Sequence, residues 1–231
     1  MNKDKIKLSI CIPTYNRPRA FKRLLSHLLL QIDNRVEIIV RDDSSNDDSK
    51  KIFYSLFNDT KISHKYFHGP KIGVDAANLF LLENASGDYI WWFGDDDELL
   101  VGGVKTVLGL INKYNDLNFI WANFAFGDKN NLAVDRVDGF FESGDDILKS
   151  IGTNIGLLST QIIKRKVALK GVQRAQKHIH GFAFASTAIV LYTASEPGRS
   201  YFLRGPFIFC NPTTIDEIKT IKVRPNFRTA T

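Results

Sequence analysis

An α/β fold, with a mostly parallel central sheet flanked by helices, follows from the alternation of apolar strand-like runs with helix-spaced stretches between Lys7 and Phe93. Three of those runs, ending at Pro13, Arg41 and Phe93, deliver polar or acidic residues directly at their carboxyl ends. Open parallel sheets bind ligands beyond those ends, so the three loops are expected to converge on one crevice. The composition agrees, since 231 residues at 44% apolar and 24% charged describe a globular chain able to bury a large core.

Lys7-Leu-Ser-Ile-Cys-Ile-Pro13 reads as the first strand. Thr14-Tyr-Asn-Arg-Pro18 follows as a turn, with Asn16 expected to cap the next helix and Pro18 tolerated in its first turn. Phe21, Leu24, Leu25, Leu28 and Leu29 then repeat at helical spacing and mark one apolar face. Val36-Glu-Ile-Ile-Val-Arg41 is the second strand, running into Asp42-Asp43-Ser44-Ser45. Ile52, Phe53 and Leu56 suggest a second helix, Ser63-His-Lys-Tyr-Phe67 a third strand, and residues 74–85 a third helix after the loop His68-Gly-Pro-Lys-Ile-Gly73. The fourth strand, Asp88-Tyr-Ile-Trp-Trp-Phe93, ends in Gly94 and the acidic triplet Asp95-Asp96-Asp97.

Beyond the triplet, Val104, Val107, Leu108 and Ile111 define a helix, and Asn118 to Phe126 a strand. Residues 127–138 are expected as a hairpin or exposed loop, and Asp145 begins a short helix. Ile155 to Lys164 reads as strand, followed by a basic helix to about Lys177. Periodicity does not assign Phe182 to Leu191 to helix or strand, and Tyr201 to Cys210 is a final strand with a break at Gly205-Pro206. Residues 1–126 and 127–231 are read as two halves of one domain, the first built to bind a ligand at its strand ends and the second smaller.

The net charge of +6 hides an asymmetry. Residues 1–160 hold 19 Lys and Arg against 22 Asp and Glu, whereas residues 161–231 hold 12 against 3. A basic half beside an acidic cluster suggests either anionic partners, such as a phosphorylated substrate or an anionic membrane face, or simply a solubilising basic surface. No nucleic-acid module accompanies the short Lys164-Arg-Lys166 cluster, so nucleic acid is not expected as a partner. Two cysteines, Cys11 and Cys210, give no disulfide framework, and Cys11 reads as a small core residue. No secretory signal and no apolar stretch near membrane-spanning length is recognised, which leads to an expected cytoplasmic location.

Taken alone, the triplet reads either as a solvated acidic turn or as a cation site, and its position directly after five apolar or aromatic residues, Tyr89 to Phe93, favours the second. Three adjacent carboxylates repel one another, and such a group at a buried strand end is retained where a cation or reacting group sits. No Gly-x-Gly-x-x-Gly follows the first strand and no Gly-x-x-x-x-Gly-Lys-Ser/Thr occurs anywhere, so neither usual phosphate-binding loop is available. A divalent metal would then carry the phosphate-binding task.

Ile10-Cys-Ile-Pro-Thr-Tyr-Asn-Arg17, Val36 to Ser45, Ile72-Gly73 with Asn78, and Gly87-Asp-Tyr-Ile with the triplet together resemble the inverting family 2 glycosyltransferases of the GT-A fold. The resemblance covers about residues 6–125, and the Gly-Asp-Asp-Asp form of the acidic motif looks most like the abequosyltransferase branch that builds bacterial surface polysaccharide. It implies a Rossmann-like donor half over residues 1–126 and an acceptor half over 127–231. Pro13, Thr14, Tyr15, Asn16 and Arg17 would line the base and ribose pocket, and Asp42 and Asp43 would include the carboxylate that reads the nucleobase. Gly73 and Asn78 would lie below the diphosphate. Asp95, Asp96 and Asp97 are the implied metal ligands, with Asp96 the principal one and Asp95 also near the ribose and diphosphate.

The implied reaction transfers a sugar from a nucleoside diphosphate sugar to a saccharide or polyprenyl-linked acceptor, with Mg²⁺ or Mn²⁺ stabilising the departing diphosphate. A polyprenyl-linked acceptor would bring peripheral association with the inner membrane face. Two departures stand out. The basic residue the family places just before Asn78 is replaced by Ala76-Ala77, and no acid lies between Asp146 and Glu196 to act as the catalytic base. His178 and His180 are the base candidates in that interval, with Asp135 to Asp146 or Glu196 onward as the acidic alternatives. A nucleotide-sugar-binding module without transfer activity is the alternative reading that this gap keeps open.

Overall fold

The computed structural model describes residues 5–175 and 185–210. Strands β1 (Leu8–Thr14), β2 (Val36–Asp42), β3 (Ser63–His68) and β4 (Tyr89–Trp92) alternate with helices α1 (Pro18–Leu29), α2 (Ser49–Phe57) and α3 (Val74–Asn84). They form a wholly parallel block in the order β3-β2-β1-β4. The chain then passes through β5 (Glu98–Leu99), α4 (Gly103–Lys113) and β6 (Leu117–Phe126) to the small elements β7 (Gly139–Phe140) and α5 (Gly144–Ile151). It closes with β8 (Gln161–Lys164), α6 (Arg165–Ala175), α7 (Ala185–Ser195) and β9 (Arg199–Cys210). β8 inserts antiparallel between β4 and β6, and β9 runs parallel to β6.

Alternation of side chains sorts the core onto two faces. Ile10 and Ile12, Ile38 and Val40, and Trp91 and Phe93 face α1, α2 and α4. The intervening Cys11, Ile39 and Trp92 face α3, α6 and α7, where Leu81, Leu82, Ala168, Ile189 and Val190 meet them. Burial on both faces is why these strands read as continuous apolar runs. Strand order reverses at β1, with β2 on one side and β4 on the other, and the region beyond the ends of these strands is where open sheets of this kind bind ligands.

Three local expectations change and one open assignment is filled. Asn16 does not cap α1. Arg17 holds the cap position without a side-chain cap bond, while Asn16 adopts φ +53° and accepts the Asn46 N–H through Oδ1 at 3.1 Å. Pro18 opens the helix as expected. The strand expected from Ile155 begins only at Gln161, because residues 152–156 and 158–160 form two 3₁₀ turns. Side chains bind the carbonyls there, Thr160 Oγ1 donating to Leu157 O at 2.7 Å and Gln161 Nε2 to Ile155 O at 2.6 Å. Gly205-Pro206 carries a cis peptide, and near it the β6/β9 register shifts while the strand continues. Residues 185–195 are helical, whereas the rest of the ambiguous run, residues 182–184, lies outside the described residues.

Candidate functional site

The loops leaving β1, β2 and β4 are stitched together at the carboxyl edge. Asp43 N donates to Thr14 O at 3.0 Å, joining the first two strand ends, and Thr14 Oγ1 donates to Asp95 Oδ2 at 2.8 Å, joining the first to the fourth. Arg17 Nη1 donates to Asp95 Oδ1 at 3.1 Å and to Asp96 Oδ2 at 2.6 Å. From α1, Arg23 Nη2 donates to the Asp96 main-chain carbonyl at 3.2 Å. Thr14, Arg17, Asp95 and Asp96 are therefore brought together as the sequence leads one to expect.

The second strand end is braced differently. Both carboxylate oxygens of Asp42 are engaged, one by Ser45 N at 2.8 Å and one by the Tyr66 hydroxyl at 2.5 Å. Burial and the adjacent Asp42 push the Tyr66 phenol well above its ordinary range, so it stays a proton donor. Asp43 Oδ2 accepts Ile72 N at 3.0 Å and Gly73 N at 2.6 Å, which fixes the β3–α3 loop to β2. Asp43 Oδ1 is buried with no hydrogen-bond donor and lies 3.6 Å from Arg41 Nη2. Tyr15 and Lys71 stand at the lip, the Lys71 ammonium 3.5 Å from the centre of the Tyr15 ring. Asn78 points inward from α3: its carbonyl accepts the Trp92 indole N–H at 3.2 Å, and its buried Oδ1 has no partner.

The acidic triplet divides. Asp95 and Asp97 are 5% and 8% exposed, and burial pushes both carboxyls up to about 6. For Asp95, the Arg17 charge and the Thr14 bond oppose that rise and the Asp96 charge adds to it. For Asp97, hydrogen bonds from Ser159 and Cys210 oppose it. Gly94 lies close beneath them: a Cβ there would stand 3.1 Å from Asp97 Oδ2 and 3.3 Å from Asp96 Oδ1, so the carboxylates would have to give by a few tenths of an ångström.

Ser159 was not legible as a site residue. Its hydroxyl donates to Asp97 Oδ2 and accepts Gly94 N at 2.9 Å, while its carbonyl accepts the Trp91 indole N–H at 2.7 Å. The polar Ser159-Thr160-Gln161 step inside an otherwise apolar run was the only signal. Cys210, at the end of β9, closes the same pocket, and burial beside Asp97 raises its thiol far out of the reactive range.

Among the described residues, no three His, Cys, Asp or Glu side chains are arranged to hold a metal ion by themselves. The donor chemistry nevertheless fits a hard divalent cation in part. Asp95 and Asp96 present carboxylate oxygens to one common cation, the Arg17 guanidinium, and two carboxylates completed by substrate phosphates are a normal Mg²⁺ or Mn²⁺ shell.

The acceptor-side base candidates lie apart from these strand ends in the sequence. His178 and His180 lie outside the described residues. Asp146 is committed to Arg136, at 2.7 and 3.0 Å, and to Ser150, which together hold its carboxyl far below the usual range. Asp138 accepts Arg204 N at 2.6 Å and Asp135 pairs with the Arg204 guanidinium at 3.3 Å.

The model of glycosyl transferase family 2 matches residues 9–170. The chain belongs to that family. It is 33% identical over 108 residues to a GalNAc(5)-diNAcBac-PP-undecaprenol beta-1,3-glucosyltransferase of Campylobacter jejuni, covering 46% of this chain and 35% of that protein. It is also 33% identical over 116 residues to the abequosyltransferase RfbV of Salmonella typhimurium, covering 47% of this chain and 32% of that protein. The chain thus spans about a third of the length of these two relatives. Among solved structures, S. aureus TarS 1-349 in complex with UDP-GlcNAc superposes with a TM-score of 0.70 at 18% identity, over 94% of this chain and 62% of that one. The mannosyltransferase PcManGT from Pyrobaculum calidifontis, in complex with GDP-Man and Mn2+, gives 0.62 at 13% identity, over 91% and 58%. These likenesses establish the GT-A fold.

Proposed function

We propose that this family 2 chain transfers a sugar from a nucleoside diphosphate sugar to a saccharide or lipid-linked acceptor in surface polysaccharide synthesis, with residues 1–126 binding the donor and 127–231 contributing the acceptor half. The observation that carries the reading is the convergence of three strand ends, through Thr14 with Asp95 and Asp43 with Thr14, on one crevice at the switch point of the sheet. Tyr15 offers an exposed ring for base stacking at one end of that crevice, beside Pro13, Asn16, Asp42 and Asp43. Asp95 and Asp96 form the diphosphate end, and Mg²⁺ or Mn²⁺ held there supplies charge for the departing diphosphate. Asp97 flanks them on the side of Ser159, while Gly73 and Asn78 underlie the diphosphate from α3.

Arg17 neutralises the carboxylate pair, Thr14 orients Asp95, and the Arg23 bond fixes the Asp96 backbone. The lipid-linked acceptor is supported by the undecaprenol-linked substrate in the name of the Campylobacter relative, and the basic second half would favour an anionic membrane surface at the cytoplasmic face. No helix among the described residues is long and apolar enough to cross a membrane.

Incubation of the chain with a panel of nucleoside diphosphate sugars, with Mn²⁺ or with chelator, tests the reading. Metal-dependent transfer or hydrolysis of at least one donor, lost in Asp96→Ala with the fold intact, is expected; activity retained in Asp96→Ala refutes the assignment. A binding module without transfer is favoured by one observation, the engagement of Asp138 by the Arg204 main-chain N–H and of Asp146 by the Arg136 guanidinium. Tight donor binding without turnover on that panel would select it.

A further inference from the structure

Arg17 reaches both carboxylates assigned above to the metal, with Nη1 at 2.6 Å from Asp96 Oδ2 and 3.1 Å from Asp95 Oδ1. Asp95 is almost fully buried, and two adjacent carboxylates in such a place are costly unless a cation compensates them. In this structure Arg17 is that cation. Its side chain is 38% exposed and leaves the loop between β1 and α1, outside the buried strands. Arg23, by contrast, donates to the Asp96 main-chain carbonyl and is anchored within α1. The start of α3, Val74-Asp75-Ala76-Ala77, offers no cation of its own to a diphosphate lying above it.

We propose that Arg17 is an exchangeable counter-cation: it holds Asp95 and Asp96 while no metal is bound, and passes to the diphosphate when a divalent ion takes its place. This rests on the reading of the crevice as a metal-dependent nucleotide-sugar site. A guanidinium 2.6 Å from Asp96 Oδ2 and a divalent ion on the same carboxylates repel at contact distance, so each weakens the other's hold there. A diphosphate supplies the anionic oxygens that an arginine fork binds in pairs. Metal and diphosphate therefore bind cooperatively, each removing Arg17 from competition with the other.

The test compares wild type, Arg17→Gln and Arg17→Lys, with circular dichroism and melting as checks of the fold. Free Mn²⁺ is followed by electron paramagnetic resonance with the metal alone, and UDP, GDP, CDP and dTDP are titrated calorimetrically with Mn²⁺ present. Arg17→Gln is expected to bind Mn²⁺ alone about tenfold more tightly and the preferred diphosphate about tenfold more weakly, as removal of one close charge pair implies. Arg17→Lys should fall between. Unchanged Mn²⁺ affinity in Arg17→Gln, with wild type still binding metal and nucleotide together, overturns the exchange and leaves the site reading intact. Equal diphosphate affinity of wild type in Mn²⁺ and in chelator, lost in Arg17→Gln, makes Arg17 a permanent substitute for the metal and also overturns it. Wild type that binds neither Mn²⁺ nor any of the four diphosphates removes the proposal together with the reading on which it rests.

Discussion

Ser159 holds Asp97 in place: its hydroxyl donates to the Asp97 carboxylate and at the same time accepts the main-chain N–H of Gly94. One side chain from the turn before β8 thus fixes both ends of the acidic turn that follows β4. Ser159→Ala leaves a buried carboxylate and a backbone donor short of a partner, at a cost of about 1–3 kcal/mol. We expect a lower denaturation midpoint together with a fall in the turnover number for transfer, and recovery of both in Ser159→Thr. A variant as active and as stable as wild type would show that Asp97 is placed by other contacts.

The acidic turn also sets a pH dependence of stability. Asp95 and Asp97 have folded values raised from 3.8 to about 6. A carboxyl that holds its proton more tightly in the folded state contributes stability fully below about pH 4 and loses it as the pH rises through about 6. Each buried ionisation then costs on the order of 2–3 kcal/mol by neutral pH. Glu37 has the opposite sign, because its folded value is lowered, so its contribution disappears as the pH falls below the ordinary carboxylate range. The chain in chelator should be most stable near about pH 5, with melting temperature falling toward pH 7. Asp95→Asn should flatten that slope, and a melting temperature that rises from pH 5 to 7 would contradict the burial argument.

Much of this arrangement was visible in the chain itself, and the reasons for what was not are specific. Apolar runs ending in Thr14, in Asp42-Asp43 and in Asp95-Asp96-Asp97 announce strand ends with chemistry, because burial on both sheet faces and exposure at the edge leave that pattern in the sequence. Contacts across the sheet leave none. Arg17 meets Asp96 across 79 residues and Ser159 meets Asp97 across 62, and no local spacing encodes either. The Ile155 to Lys164 run misleads because an apolar stretch satisfied by its own side chains looks like a strand. Asn16 misleads because its carbonyl oxygen has a tertiary partner, Asn46 N, that outcompetes the helix. The insertion of β8 between β4 and β6 is likewise a tertiary choice, made by pairing partners far apart in the chain.

At the opposite edge of the sheet, Glu37 is fully buried and accepts Ser9 Oγ at 2.8 Å, Ser86 N at 2.8 Å and the Lys65 ammonium at 2.7 Å. Burial alone would raise its carboxyl, but these bonds outweigh it and the net shift is downward. Glu37→Ala strands the buried Ser9 hydroxyl and the Ser86 N–H and should cost about 3 kcal/mol of stability, as leaving buried donors unpaired does. Glu37→Gln should cost less, since the amide keeps the volume and can still accept from Ser9 and Ser86. Because the cluster lies far from the carboxyl-end crevice, nucleotide affinity of the folded fraction should be unchanged. Equal affinity with a reduced denaturation midpoint is the expected pair of results; a loss of affinity would tie this edge to the site.

Gly73 separates backbone conformation from side-chain space. It sits at φ +87° and ψ 158°, a region nearly closed to other residues, yet a Cβ there would meet nothing within 4 Å. Its N–H is the shorter of the two that hold Asp43 Oδ2, at 2.6 Å. Gly73→Ala therefore introduces strain of about 1–3 kcal/mol without a clash, and the chain can relieve it only by turning that N–H away from Asp43. Weaker binding of nucleoside diphosphate is expected along with the loss of stability. Gly127, at φ +75° with the same open surroundings, lies in the exposed loop after β6 and serves as the control. Gly127→Ala should lower the melting temperature to a similar degree and leave nucleotide affinity untouched, so calorimetry on the two variants distinguishes damage to the Asp43 loop from general strain. Equal nucleotide affinity in both would remove the Gly73 contact from the donor site.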